Sequence, residues 1–491
     1  MYLGIDCGTQ GTKALLLDAA GGRVLGVGSA AHEMISGPHG RREQDPAQWR
    51  RALTEAVAQA LAAAGVDGQR VQALSVSGQQ HGLVMLDADG QVLRPAKLWC
   101  DTESTSQNTR LLEWLGGPQG SLERLGLVIA PGYTVSKLLW SREHAPEAFA
   151  RARHILLPHD YLNFWLTGEH CAEYGDASGT GYFNIRTRTW DLALLRHISP
   201  DGQLESALPR LLQADEAVGR LRPEVARELG LNPAALVASG GGDNMMGAIG
   251  TGNIQPGHIT MSLGSSGTVY AYSAAPLVSE EGAVAAFCSS SGGWLPLICT
   301  MNLTNTTGLV RDLLQLNQHA FDQHLRTSPI GAEGVLMLPF FNGERVPALP
   351  DATASLHGLT SNNFNAANLC RAAVEGTTFG LRYGLDLLRA SGLPSHSIRL
   401  IGGGSKNSLW RQMVADIMAT PVMCTEEPEA AALGAAIQAA WCAEGGGQAR
   451  LAELCQRCVQ LAGASEHRPQ PAAVAAYAPV YDAYRQQVLA L

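Results

Sequence analysis

Residues 2–18 read YLGIDCGTQGTKALLLD, and residues 258–273 read HITMSLGSSGTVYAYS. Each is an apolar run that empties into a glycine turn and returns as a second apolar run, the plan of a strand–turn–strand unit. Gly8, Gly11 and Thr12 fall opposite Gly264, Gly267 and Thr268 at one constant interval of about half the chain. The likeness extends outward. VQALSVSGQQ (71–80) is a strand running into a glycine turn, and SIRLIGGGS (397–405) repeats it. A helix precedes each. The first has Asp45 as N-cap, Pro46 in its first position, a stripe of Trp49, Leu53, Val57 and Leu61, and Gly65 as its stop. The second is built on Leu369, Ala372, Ala373, Gly376, Phe379 and Tyr383. RVLGVGSA (23–30) reads as a third strand and LVMLDADGQVL (83–93) as a hairpin. The shared order implies two domains of similar plan, each a mixed sheet with helices, meeting at a cleft. No Pro/Ser linker separates them. The glycine-rich ASGGGDNMMGAIGTGN (238–253) is the expected boundary, giving domains 1–245 and 246–491, and the alanine-rich tail after Ala430 reads as helical, suited to pack on either.

A chain of 491 residues is too long for one core and suits two large domains. Hydrophobic residues make up 46% and charged residues 16%, the balance of a well-buried globular enzyme. A formal net charge of −9 argues against a nucleic-acid partner, which calls for a basic face. It leaves nucleotide ligands open, because backbone N–H groups and a metal ion hold phosphates without a lysine cluster. Ten cysteines without regular spacing point to a reducing compartment. Cys455 and Cys458 in LAELCQRCVQLAG read as two thiols on a helix, since no second pair completes a zinc site. With neither a secretory leader at Met1 nor a run of about 18 apolar residues, the expectation is a cytoplasmic protein with no membrane partner.

A loop that grips phosphate needs glycines, so that several N–H groups point inward without interference from Cβ. The turns at Gly8–Gly11 and Gly264–Gly267 meet that need, and both carry hydroxyls: Thr9 and Thr12, Ser265 and Ser266. Asp6 ends its strand just before the first turn, a place for a carboxylate that holds Mg²⁺ through water or, alternatively, caps the turn. Asp243 follows Gly240–Gly242 and suits a general base toward a hydroxyl or, alternatively, a helix N-cap. Phosphoryl transfer to an alcohol needs alignment, neutralised phosphate charge and a late proton acceptor, and an aspartate with a pKa of about 3.9 can be that acceptor. The P-loop lysine motif, the protein-kinase HRD and DFG set, HExxH and GxSxG are all absent. GGGSKNS has the wrong glycine–lysine spacing for a P-loop and instead suits an adenine or ribose laid against the backbone.

These pieces are joined by others in a fixed order: GIDCGTQGTK, EQDPAQW, SGQQHG, LRPAKLWCD, PGYTVSKLLW, LLPHDYL with LTGE, DASGT, GGGDN, LGSSGT, FNGERVP, SLHGLT, NLCRAAVEG and IGGGSKNSLWRQMVADI. Over nearly the full chain the series resembles the FGGY carbohydrate kinases. Residues 354–375 fit that family's C-terminal signature, and 132–144 fit the other except at Ser141, where an apolar residue is usual. The resemblance implies an α/β fold of two actin-like ATPase (ribonuclease H-like) domains flanking a central cleft, with sugar on the N-terminal side and nucleotide on the C-terminal side. It implies transfer of the ATP γ-phosphate, with Mg²⁺, to a ketopentose hydroxyl, D-xylulose being favoured. Asp243 matches the catalytic base, and Asp6 matches the carboxylate supporting Mg²⁺. Gln80 and His81 fall where the sugar is contacted, with Trp99 and Asp101 beside them; His81 also reads as a hydrogen-bonded core histidine. Thr9, Gly11, Thr12 and Lys13 match the first phosphate loop, Gly264 and Ser265 the second, and Gly403 and Gly404 the nucleotide turn. Gln80, Cys100 and Glu103 stand where Met, a polar residue such as Asn, and Arg are usual, close to the expected sugar pocket, where one contact can redirect substrate choice. The expected partners are the sugar and ATP. A homodimer is compatible with the family, although no apolar stripe fixes an interface.

Overall fold

The computed structural model describes residues 1–279 and 282–491. The Tyr2–Cys7 and Gly11–Asp18 strands form a hairpin with Cys7 opposite Thr12, and Arg23–Ala31 extends it antiparallel. On its other side Tyr2–Cys7 pairs parallel with Ala73–Gly78, which is parallel in turn to Leu236–Ala238. The crossover helix, Pro46–Ala64, starts where the Asp45 side chain accepts the Ala47 N–H and stops at Gly65 in the left-handed region, φ 63°. Both caps follow from the sequence signals.

The same five-strand plan recurs in the second half. Gly257–Leu263 pairs antiparallel with Gly267–Ala271, which pairs antiparallel with Trp294–Thr300 through Leu297–Thr300. On the other side come Ser395–Ile401 and Val422–Cys424, both parallel. Ala366–Ala390 is the crossover helix here. The repetition read from the glycine turns is thus a repetition of topology.

Two compact units result: 1–254 with 273–295 and 429–460, and 255–272 with 296–428 and 461–491. A single cut after residue 245 does not follow them, because packing and not chain order draws the division. The tail supplies both units. Ala430–Glu444 and Gly447–Cys458 lie in the first and Pro471–Leu489 in the second. The expected 83–93 hairpin is also reduced: Asp87 accepts the Asp89 and Gln91 N–H groups, only a Leu86–Val92 bridge follows, and Val84–Leu86 pairs instead with His154–Leu156. Cys455 and Cys458 are buried, free thiols on their helix, as their spacing suggested. Among the described residues, no helix is long and apolar enough to cross a membrane.

Both faces of the first sheet are covered, so its strands are apolar on both sides. Leu3, Ile5, Ala14 and Leu16 join the core that holds Trp49, Leu53 and Val57, while Tyr2, Leu15 and Leu17 join the one that holds Leu433, Ala436 and Ile437. On this second face the Ala430–Glu444 helix comes down almost on the backbone. A Cβ on Gly4 would stand 1.9 Å from the Ala432 carbonyl oxygen. The next layer is as tight: a Cβ on Gly434 would stand 1.8 Å from the Met246 oxygen, and one on Gly250 would stand 1.8 Å from the Ala430 oxygen. Gly434→Leu should therefore cost about 3 kcal/mol in urea unfolding by overpacking. Gly308, with open space where its Cβ would be, should tolerate Ala with a gain of about 0.5 kcal/mol.

Candidate active site

Asp6 is the penultimate residue of the Tyr2–Cys7 strand, and its Oδ1 accepts a hydrogen bond from the Ser77 hydroxyl at 2.8 Å on the neighbouring parallel strand. The Gly8–Gly11 turn closes by its own Gly8 N–H to Gly11 carbonyl bond, so Asp6 is not needed as its cap. Asp243 is the first residue of the Asp243–Gly250 helix, with Gly242 as the N-cap. Its Oδ1 accepts the Asn244 backbone N–H at 2.8 Å and the Asn244 side-chain amide at 2.9 Å. Among the described residues no donor reaches its Oδ2, which leaves the general-base reading sterically available.

Both carboxylates are partly accessible yet enclosed by protein on most sides. Desolvation pushes Asp243 up to about 7, and the nearby Asp6 charge adds to the shift. Desolvation likewise pushes Asp6 up to about 6, although the Ser77 hydroxyl and the Lys13 ammonium oppose it. Two carboxylates whose ionisation is held back by burial, one of them also by the other's charge, fit a place for a divalent cation. Lys13 is the nearest internal relief, and it pairs with Glu429.

Gln438, fully buried in the Ala430–Glu444 helix, holds the approach to Asp243. Its Oε1 accepts the Ser75 hydroxyl and the Gly240 N–H, and its Nε2 donates to the Ser239 hydroxyl and the Gly240 carbonyl. Gly240 sits at φ 77°, where a side chain would meet the Val76 oxygen.

The hydroxyls expected on phosphate in the first turn are turned inward. Thr12 bonds His32 Nε2 at 2.9 Å, while Thr9 accepts from Trp99 Nε1 at 2.9 Å and donates to Gln79 at 3.2 Å. Gln79 and Gln44 complete that network by bonding the Gly8 and Thr9 carbonyls. Gly11 has a packing reason to be glycine, since its Cβ would meet the Ala30 oxygen at 2.6 Å. The turn therefore offers backbone and Lys13 rather than hydroxyls. In the second unit, Gly264 and Ser265 direct their carbonyls to the N-terminus of the Thr304–Leu313 helix. The Gly402–Gly404 turn lies against Leu263 and Gly264, which brings the expected phosphate and nucleotide turns together, and Gly403 faces open space.

On the expected sugar side, Gln80 is buried and its Oε1 accepts from Asn244, while its Nε2 has no partner. An orphaned buried donor beside Asp243 suits a ligand hydroxyl. His81 is half-buried and not a core histidine. Its Nδ1 donates to the Gly179 carbonyl at 2.8 Å, and its ring packs on Tyr133 and Phe287. Trp99 reaches the phosphate turn through Thr9. Asp101 does not join these residues. It is fully buried and accepts from Lys97 and from the Arg42 and Glu103 N–H groups. Its neighbours Glu43 and Glu103 also share Lys97. With Arg41 and Arg94 also on Glu43, that cluster is internally neutralised, and the departure at Glu103 is explained by its pairing.

Sequence reasoning passed over a buried polar layer beneath Gly240–Asp243. His159 Nδ1 and Asp176 Oδ2 lie 2.5 Å apart, and Glu173 accepts from Ser290 at 2.8 Å. Asp176 Oδ1 has no partner, and a Cβ on Gly242 would stand 3.1 Å from it. Burial raises Asp176 well above the usual carboxylate range. The signal was in LLPHDYL and DASGT, but nothing local tells a buried acid from an exposed one.

The N-terminal domain of the FGGY family of carbohydrate kinases matches residues 1–250, and its C-terminal domain matches residues 259–443. A xylulose kinase of Haemophilus influenzae is 50% identical over 488 residues, 99% of this chain and 98% of that one. A xylulose kinase of Streptomyces rubiginosus is 42% identical over 441 residues, covering 90% of this chain and 87% of its own. Among solved structures, xylulose kinase from Bifidobacterium adolescentis superposes with a TM-score of 0.85 at 31% identity, covering 99% of both chains. The chain belongs to the FGGY family of carbohydrate kinases, with that family's two-domain α/β fold.

Proposed function

We propose that the protein phosphorylates D-xylulose at O5 with ATP and Mg²⁺, Asp243 serving as the general base. The observation that carries this reading is the pair Asp6 and Asp243, two incompletely compensated carboxylates in one unit, with the orphaned Gln80 amide alongside. The near-full-length likeness to xylulose kinases supports the choice of sugar. Asp6 would hold Mg²⁺, which when bound supplies charge neutralisation at the phosphates. Asp243 Oδ2 faces the terminal hydroxyl, orients it and accepts its proton as it attacks the γ-phosphate. Gln80, His81 and Trp99 bind the sugar, whereas Asp101 acts behind them by keeping Lys97 in place. Phosphate contacts fall to Thr9, Gly11, Thr12 and Lys13, through backbone and ammonium, and to Gly264 and Ser265, with Gly403 and Gly404 beside the nucleoside. The cytoplasm, where ATP and free sugar meet, is the proposed location, and a homodimer fits the reading.

A coupled ADP-release assay across ketoses and polyols should give D-xylulose the highest kcat/KM; a better acceptor in the panel reassigns the substrate. Asp243→Ala should lower kcat by about 10³-fold while nucleotide binding persists. Near-normal turnover in that variant would remove Asp243 from the base role.

The raised pKa has a second readout. Folding lets Asp243 keep a proton that the unfolded chain releases, so its contribution to stability is full below about pH 4 and is lost as pH rises through about 7. Without Mg²⁺ at pH 8, Asp243→Asn should thus exceed the parent chain in stability by about 2 kcal/mol, and the gap should close by pH 4. The acid limb of kcat/KM should lie well above an ordinary aspartate pKa, with apparent values belonging to the Asp6–Asp243 pair.

A further inference from the structure

Lys137 lies in the first turn of the Thr134–His144 helix, fully buried. Its ammonium donates to two backbone carbonyls, His81 and Gly132, each at 2.6 Å. Among the described residues, no carboxylate forms an ion pair with it, and burial pushes its pKa down to about 7 against the more distant pull of Asp101. A buried cation directed at neutral carbonyls is a poor stabiliser of a fold, so a role in placing those carbonyls is the better account. What it places is unusual. His81 sits at φ 65°, in the left-handed region that a non-glycine residue keeps only when its surroundings over-determine it. Its carbonyl also accepts from the Thr134 hydroxyl at 3.2 Å. At the other end of the clamp, Gly132 lies flat on the backbone of Trp99, for a Cβ there would stand 2.4 Å from the Trp99 oxygen.

We infer that Lys137 is a positioning residue for the sugar: it ties His81 to the segment on which Trp99 rests, and so fixes the spacing of two sugar-contacting side chains without reaching the ligand itself. The inference rests on the sugar-kinase reading above and on His81 as a contact within it. Removing the ammonium takes the lysine donor from the Gly132 carbonyl, leaves the His81 carbonyl with only the weaker Thr134 hydroxyl, and lets His81 relax from its left-handed conformation.

In Lys137→Met the KM for D-xylulose should rise about tenfold, while kcat and the KM for ATP stay within about twofold. Added to His81→Ala, the substitution should raise that KM no further, since it acts through the missing ring. Thr134→Val keeps the lysine and removes the weaker donor to the same carbonyl; it should give a smaller rise in the same constant, and it decides the matter should the methionine variant not fold. An unchanged sugar KM in these variants, an equal rise for ATP, or additive effects with His81→Ala each overturn the positioning role while the kinase reading stands. Absence of sugar-stimulated ADP release in the unaltered chain overturns the functional reading and this inference together.

Discussion

The first unit depends on three glycines that let backbones touch. Gly4 in the first strand, Gly250 at the end of the Asp243 helix and Gly434 in the tail helix each face a carbonyl oxygen less than 2 Å from where a Cβ would be. Through them the Ala430–Glu444 helix sits directly on the strand that carries Asp6 and directly under the helix that carries Asp243. The spacing of the two carboxylates is then set by main chain alone, the stiffest ruler a protein has. Gln438 on the same helix adds the polar half of the arrangement by satisfying both ends of the Gly240 peptide.

Buried acids in this unit fall into two kinds, according to how far their charge is answered from within. Glu43, Asp101 and Glu103 converge on Lys97, with Arg41 and Arg94 adding to Glu43, and every charge has an internal answer. Asp6 has only the Ser77 hydroxyl and Lys13, which also pairs with Glu429, and Asp243 has only Asn244, so burial holds back the ionisation of both. Carboxylates left short of positive charge are expected where a cation and a polyphosphate complete the balance. The layer of His159, Asp176 and Glu173 below extends the same shortage inward.

Much of this was legible in the chain. The hairpin at 2–18, its echo at 258–273 and the helix opened by Asp45 and Pro46 and closed by Gly65 all rest on neighbours in sequence, and all are found as read. Asp6 and Asp243 were legible as carboxylates projected from strand and glycine loop. The hydrogen-bond partners of Thr9, Thr12 and Asp101 were not legible, because a hydroxyl or carboxylate advertises its chemistry but not the direction in which it is turned. His32, Trp99 and Lys97 decide those directions, and they lie 20, 90 and 4 residues away along the chain.

The sequence by itself determined the two glycine-turn hairpins, the crossover helices, the duplicated sheet plan and the short list of groups able to act on phosphate, since periodicity, caps and turn glycines act over a few residues. Tertiary structure alone decided that the tail is shared between two units, that Asp6 and Asp243 feel one another's charge, and that Lys137 braces His81. Each of these is a meeting of residues far apart in the chain, settled by burial and close packing rather than by any local preference.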